Sequence, residues 1–269
     1  MYNHFFELRE KPFNITPDPR FLYFSAQHRE ALDQLIYGIE SRAGFIALVG
    51  EVGCGKTTLC RAMLARLPHY VESALVLNPC LTEIQLVQAI LTDLGSPFHS
   101  RDRLKLIASL NEYLLDKMRK GINVVVILDE AQQMTPALLE QVRLLSNLET
   151  DQQKLMQIIL SGQPELDQRL QEPGLRQLRQ RIMMQCRLTP LDEPDTAGYI
   201  RHRLSVAGAP EDVGFDEAAV RLIHRRSGGI PRLINKLSDR ALLAAYAVRA
   251  RRVGREEARR ALAEMEGLT

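Results

Sequence analysis

The chain has 269 residues, 45% of them hydrophobic, with 35 Lys and Arg against 33 Asp and Glu, for a formal net charge of +2. That length and apolar content can fill the core of one large α/β domain plus a smaller one, and they exclude a disordered chain. The near balance of charge excludes a uniformly basic nucleic-acid binder and leaves only local basic surfaces.

Residues 1–25 mix Pro12, Pro17 and Pro19 with Phe5, Phe6, Phe13, Phe21, Tyr23 and Phe24, which predicts an extended strap pinned by aromatic rings. "SAQHREALDQLIYGIESR" then reads as a helix, with Ser25 as N-cap and Ala31, Leu32, Leu35, Ile36 and Ile39 on one face. Strands and helices alternate from there. "GFIALVG" is a short apolar strand, "KTTLCRAMLARL" a helix stopped by Pro68, "SALVLN" a strand ending at Asn78, and "TEIQLVQAILTDL" a helix ended by Gly95. A polar helix over 101–119 precedes "INVVVIL", a β-branched run typical of a strand buried on both faces of a parallel sheet. The helix "PALLEQVRLLSNL", the strand "KLMQIILSG", two short helices and the strand "RIMMQCRL" complete five strands with helical crossovers. The expected architecture is a three-layer α/β domain on a five-stranded parallel sheet.

After "TPLDEPDTA" no strand-like run returns. "AGYIRHRLSVAG", "DEAAVRLIHRRSGG", "PRLINKLSDRALLAAYAVRA" and "REEARRALAEM" all carry helical patterns. The predicted division is therefore a strap over 1–25, a nucleotide-binding α/β domain over 26–190 and a small all-helical domain over 191–269.

The longest uncharged apolar runs, "GINVVVIL" and "ALLAAYAV", fall far short of the ~18 residues of a membrane-spanning helix. "MYNHFFELREKPF" is charged where a signal peptide is apolar, so the expected location is the cytoplasm. Cys54, Cys60, Cys80 and Cys186 are scattered and form no C-x-x-C pair, which suits reduced, buried thiols.

Chemistry is concentrated in four stretches. "GEVGCGKTT", Gly50 to Thr58, matches G-x-x-x-x-G-K-[ST] between a predicted strand and a predicted helix. The loop residues Gly50, Glu51, Val52, Gly53, Cys54 and Gly55 turn amides toward phosphate oxygens, and the helix start at Lys56, Thr57 and Thr58 adds its positive end. Lys56 reaches the β and γ phosphates of ATP, and the Thr57 hydroxyl ligates Mg²⁺. "VVVILDEAQ" ends a buried strand in two acids, an expensive arrangement unless they face a cation or water. Asp129 is assigned to the Mg²⁺ shell and Glu130 to polarising the attacking water. "IILSGQPEL" ends another strand in Ser161 and Gln163, neutral groups able to hold a water; which of them does so is open. In "SGGIPRLINKL", Gly228 and Gly229 end one helix, Pro231 suits the first turn of the next, and Arg232 at its start points to a nearby anion such as a bound phosphate.

"PGLRQLRQRI" places Arg176, Arg179 and Arg181 within six residues, with no acid among them. Read alone it is a helix end of uncertain purpose.

Together these stretches resemble an AAA+ ATPase. More narrowly the chain is similar to the ATPases named general secretion pathway protein A (ExeA) and their relatives in MSHA pilus-biogenesis and exosortase-linked export loci. "MYNHFFELREKPFNITPDPRFLYFS", "VVVILDEAQ", "LLSNLETDQQKLMQIILSGQPELDQRL", "LRQLRQRI" and "GGIPRLINKLSDRALLAAY" carry that resemblance across nearly the whole length. It implies a P-loop NTPase fold with a helical lid, and a ring- or helix-forming, nucleotide-dependent homo-oligomer. ATP is bound and hydrolysed with Mg²⁺ to help assemble a type II secretion, MSHA-like pilus or exopolysaccharide export machine. It further implies a polar sensor at Ser161 or Gln163, a Gly-x-Pro-Arg sensor at Pro231 and Arg232, and adenine contacts from Pro12, Phe13 and Asn14. An arginine finger would come from Arg181 first, then Arg179 and Arg176, acting on ATP in the adjacent subunit. Secretion-pathway members continue into a transmembrane segment and a periplasmic region, so this chain, ending at Thr269, is expected to be either a soluble relative of the kind found in pilus or exopolysaccharide loci or a cytoplasmic module of a membrane-anchored protein. An inner-membrane or envelope partner is therefore expected, with a peripheral position at the cytoplasmic face of the bacterial inner membrane. A DNA-associated regulator of the transposition or replication-initiator type shares the same plan. From Tyr199 onward 14 Lys and Arg face 9 Asp and Glu, but no helix-turn-helix or aromatic-basic alternation supports DNA reading.

Overall fold

The computed structural model describes residues 2–16, 18–77, 80–98, 100–150 and 153–266; Pro17 and Asn78, expected in the strap and at the end of the second strand, lie outside them. In chain order the elements are α1 (Tyr2–Phe5), α2 (Ala26–Glu40), β1 (Phe45–Gly50), α3 (Lys56–Leu64), β2 (Val71–Val76), α4 (Glu83–Asp93), α5 (Arg103–Arg119) and β3 (Asn123–Leu128). They continue with α6 (Pro136–Leu145), β4 (Gln157–Gly162), α7 (Pro164–Leu170), α8 (Arg176–Arg181), β5 (Ile182–Leu188), α9 (Glu193–Val206), β6 (Gly214–Phe215), α10 (Glu217–Ser227), α11 (Pro231–Ala247), β7 (Arg252–Val253) and α12 (Arg255–Glu266).

By contact density the chain divides into two compact units. One comprises Arg29–Gly50 and Leu59–Leu188; the other comprises Met1–His28, Glu51–Thr58 and Thr189–Thr269. The strap and the loop after β1 thus group with the C-terminal helices, where three successive segments were expected.

The first unit is built on a five-stranded sheet in the order β2-β3-β4-β1-β5, parallel throughout. The strands β1, β3 and β4 are buried along their full length, which is why they read as unbroken apolar runs with no alternation. One face of each packs into a core with Leu86 and Ile90 of α4, Leu110 of α5 and Leu139 and Val142 of α6. On the other face α2 lies so close to β1 that a side chain at Gly38 would stand 2.5 Å from Ile46 Cδ1. Each fully buried leucine or isoleucine of this kind stabilises the fold by ~1.5–3 kcal/mol.

Local chemistry sets where the helices begin. Thr82 and Gln85 form a capping box at α4, each side chain bonded to the other's backbone N–H. Thr135 caps α6 ahead of Pro136. Ser25 Oγ accepts from the His28 N–H (3.3 Å) at the start of α2, as its position predicted.

The second unit has its own core, in which Tyr2, Phe6, Phe13 and Phe21 of the strap meet Tyr199, Ile223, Leu237 and Leu242 of the helices. Arg203 fastens the strap: buried, it donates to the carbonyls of Pro12 (2.5 Å) and Asn14 (3.0 Å) and stacks on the Phe21 ring at 4.7 Å. The strap is not wholly extended, since α1 gives it one helical turn and Pro19–Phe21 a 3₁₀ turn. Nor is the C-terminal region wholly helical. The strands β6 and β7 pair in parallel over two residues each, too short to leave a periodic signal.

At the α10–α11 junction the backbone passes close to Leu191. Gly228 ends α10 in the left-handed conformation with open space around it, whereas a Cβ on Gly229 (φ 74°) would lie 1.9 Å from the Leu191 carbonyl oxygen. We therefore expect Gly228→Ala to cost ~1 kcal/mol and Gly229→Ala at least ~3 kcal/mol, read from denaturant midpoints. Equal costs would contradict this packing.

Candidate active site

Three strand ends define the site on the first unit, because β1, β3 and β4 are neighbours in the parallel sheet and all finish on the same edge. The last residue of β1, Gly50, runs directly into the G-x-x-x-x-G-K-T loop.

Within the second unit the loop is closed on itself. The Cys54 N–H donates to the Glu51 carbonyl (3.2 Å), and the buried Lys56 ammonium reaches back to the same carbonyl (3.1 Å). Gly53 is held at φ 85°, and a Cβ there would lie 2.6 Å from Arg232 Cβ. The first turn of α11 is joined to the loop at this point, because the Arg232 N–H donates to the Gly53 carbonyl (3.2 Å). Pro231 is buried at the first helical position and the Arg232 side chain is exposed. The predicted loop and the predicted helix-start arginine therefore come together in one unit, by backbone contact. Lys56 and Thr57 open α3, whose positive helix end favours an anion.

At the ends of β3 and β4 the acids accept hydrogen bonds from neutral side chains. Asp129 is buried, and its Oδ1 accepts from Ser161 Oγ at 2.7 Å and from the Glu130 N–H at 3.0 Å. Glu130 Oε2 accepts from Gln163 Nε2 at 3.1 Å and from Gln132 Nε2 at 2.6 Å. Ser161 and Gln163 thus bond to different carboxylates. Glu130 also has a left-handed backbone (φ 54°, ψ 34°), a conformation that costs a non-glycine residue ~1 kcal/mol or more and that aims its side chain independently of the strand.

Gln132 had no assigned part in the sequence reading. It joins the two strand ends: its amide donates to Glu130, its Oε1 accepts from the Gln163 N–H (3.1 Å), and its carbonyl accepts from Arg169. The only signal for it was adjacency to the acids. Chemically, Asp129 offers a desolvated oxygen donor suited to a hard cation. Glu130 is a carboxylate oriented by two amides, a suitable proton acceptor for water.

The three clustered arginines differ in environment. Arg181 is half-buried against the end of α6, donating from Nη1 to Ser146 Oγ (2.7 Å), Asn147 Oδ1 (2.6 Å) and the Arg143 carbonyl (3.3 Å). All three acceptors are neutral, and the guanidinium charge also helps to hold the carboxyls of Glu140 and Glu149 below the usual carboxylate range. Arg179 is exposed and bonded to Gln171, and Arg176 is exposed one turn earlier. Phe13 requires a correction. Expected against an adenine base, it is a core residue, 3% exposed, with its ring edge-on to Phe215 at 5.9 Å. A phenyl ring gains more from complete burial than a strap surface would give it. Pro12 is buried as well, and Asn14 is exposed.

A family model described as an AAA domain matches residues 39–170. General secretion pathway protein A of Aeromonas hydrophila is 50% identical over 248 residues, which are 92% of this chain and 45% of that protein. The chain therefore spans somewhat less than half the length of that relative. Among solved structures, the Aeropyrum pernix ORC2 protein (ADPNP-ADP complexes) superposes with a TM-score of 0.72 at 17% identity, over 95% of this chain and 71% of that one. Cdc6p from Pyrobaculum aerophilum gives 0.73 at 17% identity, over 94% and 70%. At such identities the likeness is one of fold. No helix among the described residues is long and apolar enough to cross a membrane. The chain is thus an AAA-type P-loop protein, with its AAA domain on residues 39–170 and a sequence similar along most of its length to general secretion pathway protein A.

Proposed function

We propose that this chain is a Mg²⁺-dependent ATPase that works as a nucleotide-dependent homo-oligomer. The observation that carries the reading is the pairing of Asp129 with Ser161 and of Glu130 with Gln163 at the ends of β3 and β4, the two strands that follow β1 on one side of the sheet, β1 being the strand that leads into the phosphate loop. The amides of Gly50, Glu51, Val52, Gly53, Cys54 and Gly55, with the first turn Lys56, Thr57 and Thr58, hold the phosphates, and Lys56 neutralises charge on the β and γ groups. Thr57 and Asp129 supply hydroxyl and carboxylate oxygens to Mg²⁺, a set that suits a cation which keeps its remaining sites for water and phosphate. When bound, the metal screens the charge that builds up during phosphoryl transfer. Glu130, aimed by Gln163 and Gln132, accepts a proton from the attacking water, while Ser161 fixes the orientation of Asp129. Arg232 reads the nucleotide phosphates from α11 with Pro231 fixing the helix start, and Arg181 acts on the nucleotide of a neighbouring subunit.

The likeness to general secretion pathway protein A supports a place for this ATPase in assembling a secretion, pilus or exopolysaccharide export machine. It acts at the cytoplasmic face of the bacterial inner membrane through an envelope partner. The decisive experiment measures ATP binding, turnover and particle size together. Wild type should hydrolyse ATP only with Mg²⁺, with specific activity rising with protein concentration as larger species form. Lys56→Ala should weaken ATP binding by at least ~10²-fold and remain monomeric with ATP. Equal ATP affinity in the two proteins would refute the phosphate-loop assignment, and a flat specific activity on dilution would refute the oligomer.

A further inference from the structure

His28 lies in the first turn of α2, is 3% exposed, and was not among the expected site residues. Both ring nitrogens are occupied: Nδ1 is 2.8 Å from Ser25 Oγ, and Nε2 is 3.2 Å from the carbonyl oxygen of Cys54 in the phosphate loop. A carbonyl can only accept, so Nε2 carries the proton, and in the neutral ring Nδ1 then accepts from the Ser25 hydroxyl. Burial favours that neutral ring by holding the imidazole pKa below its ordinary value, against a smaller opposite pull from the Cys54 bond and Asp195.

The Cys54 carbonyl and the Gly55 N–H are two ends of one trans peptide plane and point in opposite directions. Fixing the carbonyl on His28 therefore fixes the direction of the Gly55 amide. Gly55 itself gives the loop little stiffness here. At φ 98° it sits where glycine alone is at ease and where several peptide orientations compete. A Cβ at Gly55 would stand 3.5 Å from His28 Nε2, so ring and loop are in direct contact.

We propose that His28 is a positioning residue of the phosphate loop: its Nε2–H anchors the Cys54 carbonyl so that the Gly55 amide is presented to a nucleotide phosphate, with Ser25 fixing the tautomer. This rests on the phosphate-loop reading of Gly50–Thr58 and adds to it a group outside the motif. The loop no longer has to adopt its binding form on meeting the ligand, so the gain is in affinity for the phosphates and not in the rate of the chemical step.

The test is equilibrium binding of ADP and ATP, with steady-state turnover, for His28→Ala, His28→Gln and His28→Asn. A glutamine amide can take the place of Nε2 as donor to Cys54, whereas the asparagine amide falls short. We expect His28→Ala and His28→Asn to raise Kd for both nucleotides, and KM for ATP, by about tenfold with kcat changed less than twofold. His28→Gln should return within about threefold of wild type. If the alanine variant does not fold, the Gln and Asn variants still decide, because equal affinities in those two would overturn the proposal. Wild-type affinity in a folded His28→Ala protein would overturn it as well, leaving the phosphate-loop reading intact. A wild-type protein that binds neither nucleotide would overturn both.

Discussion

Glu130→Gln should bind ATP within about threefold of wild type and hydrolyse it at least ~10²-fold more slowly. The substitution keeps the size and polarity that Gln132 and Gln163 meet at Oε2, yet it replaces the carboxylate with an amide that cannot take a proton from water. Binding is retained because the phosphate loop lies on a different segment of the chain. The left-handed backbone at Glu130 belongs to the Asp129–Glu130 turn, so stability should not change beyond ~1 kcal/mol. ATP should therefore accumulate on the protein, and the ATP-dependent larger species should persist after wild type has exhausted its nucleotide. Rapid-quench measurement of a single turnover reads the chemical step directly. If that step proceeds at the wild-type rate, Glu130 is not the proton acceptor.

Arg181→Ala is the second large effect, and its signature differs. A guanidinium delivered from outside the binding site stabilises charge on the transferring phosphoryl group and is worth ~10³-fold or more in rate. The pure variant should bind ATP normally, form the larger species and hydrolyse almost nothing. Mixed with wild type, it should lower specific activity by more than dilution, because each active site would draw its arginine from a neighbour. Arg181 also braces the end of α6 through Ser146 and Asn147, so a modest loss of stability is expected, and Arg181→Lys separates the two roles. Lysine can keep part of the brace and cannot reproduce the planar fork, so stability should recover while turnover does not. Normal turnover by pure Arg181→Ala would exclude it as the finger and direct the same test to the exposed Arg179 and Arg176.

The fold was readable in advance wherever local pattern and tertiary environment agree. Val124–Leu128 and Ile158–Leu160 read as buried strands because a parallel sheet covered on both faces demands apolar side chains on both. Ser25 announced a helix start because capping is settled within four residues. The motif from Gly50 to Thr58 was recognisable for the same reason. The loop's glycines, its lysine and its helix start form one contiguous segment.

What could not be read depends on partners distant in sequence. Phe13 was expected against an adenine base, and it is core through residues some two hundred positions on, Phe215 among them. Gln132 gained its place from Gln163, and His28 from Cys54. The pairs β6 and β7 are two residues long and exist only because the helices bring Gly214–Phe215 beside Arg252–Val253. The linear order of residues determined the parallel sheet, the phosphate loop and the strand-ending acids, because each is encoded by short-range periodicity and spacing. Tertiary structure alone decided which neutral group serves which carboxylate, that Arg181 rests on neutral acceptors, and that a histidine from α2 holds the loop, because hydrogen bonds select partners by distance in space and not by distance along the chain.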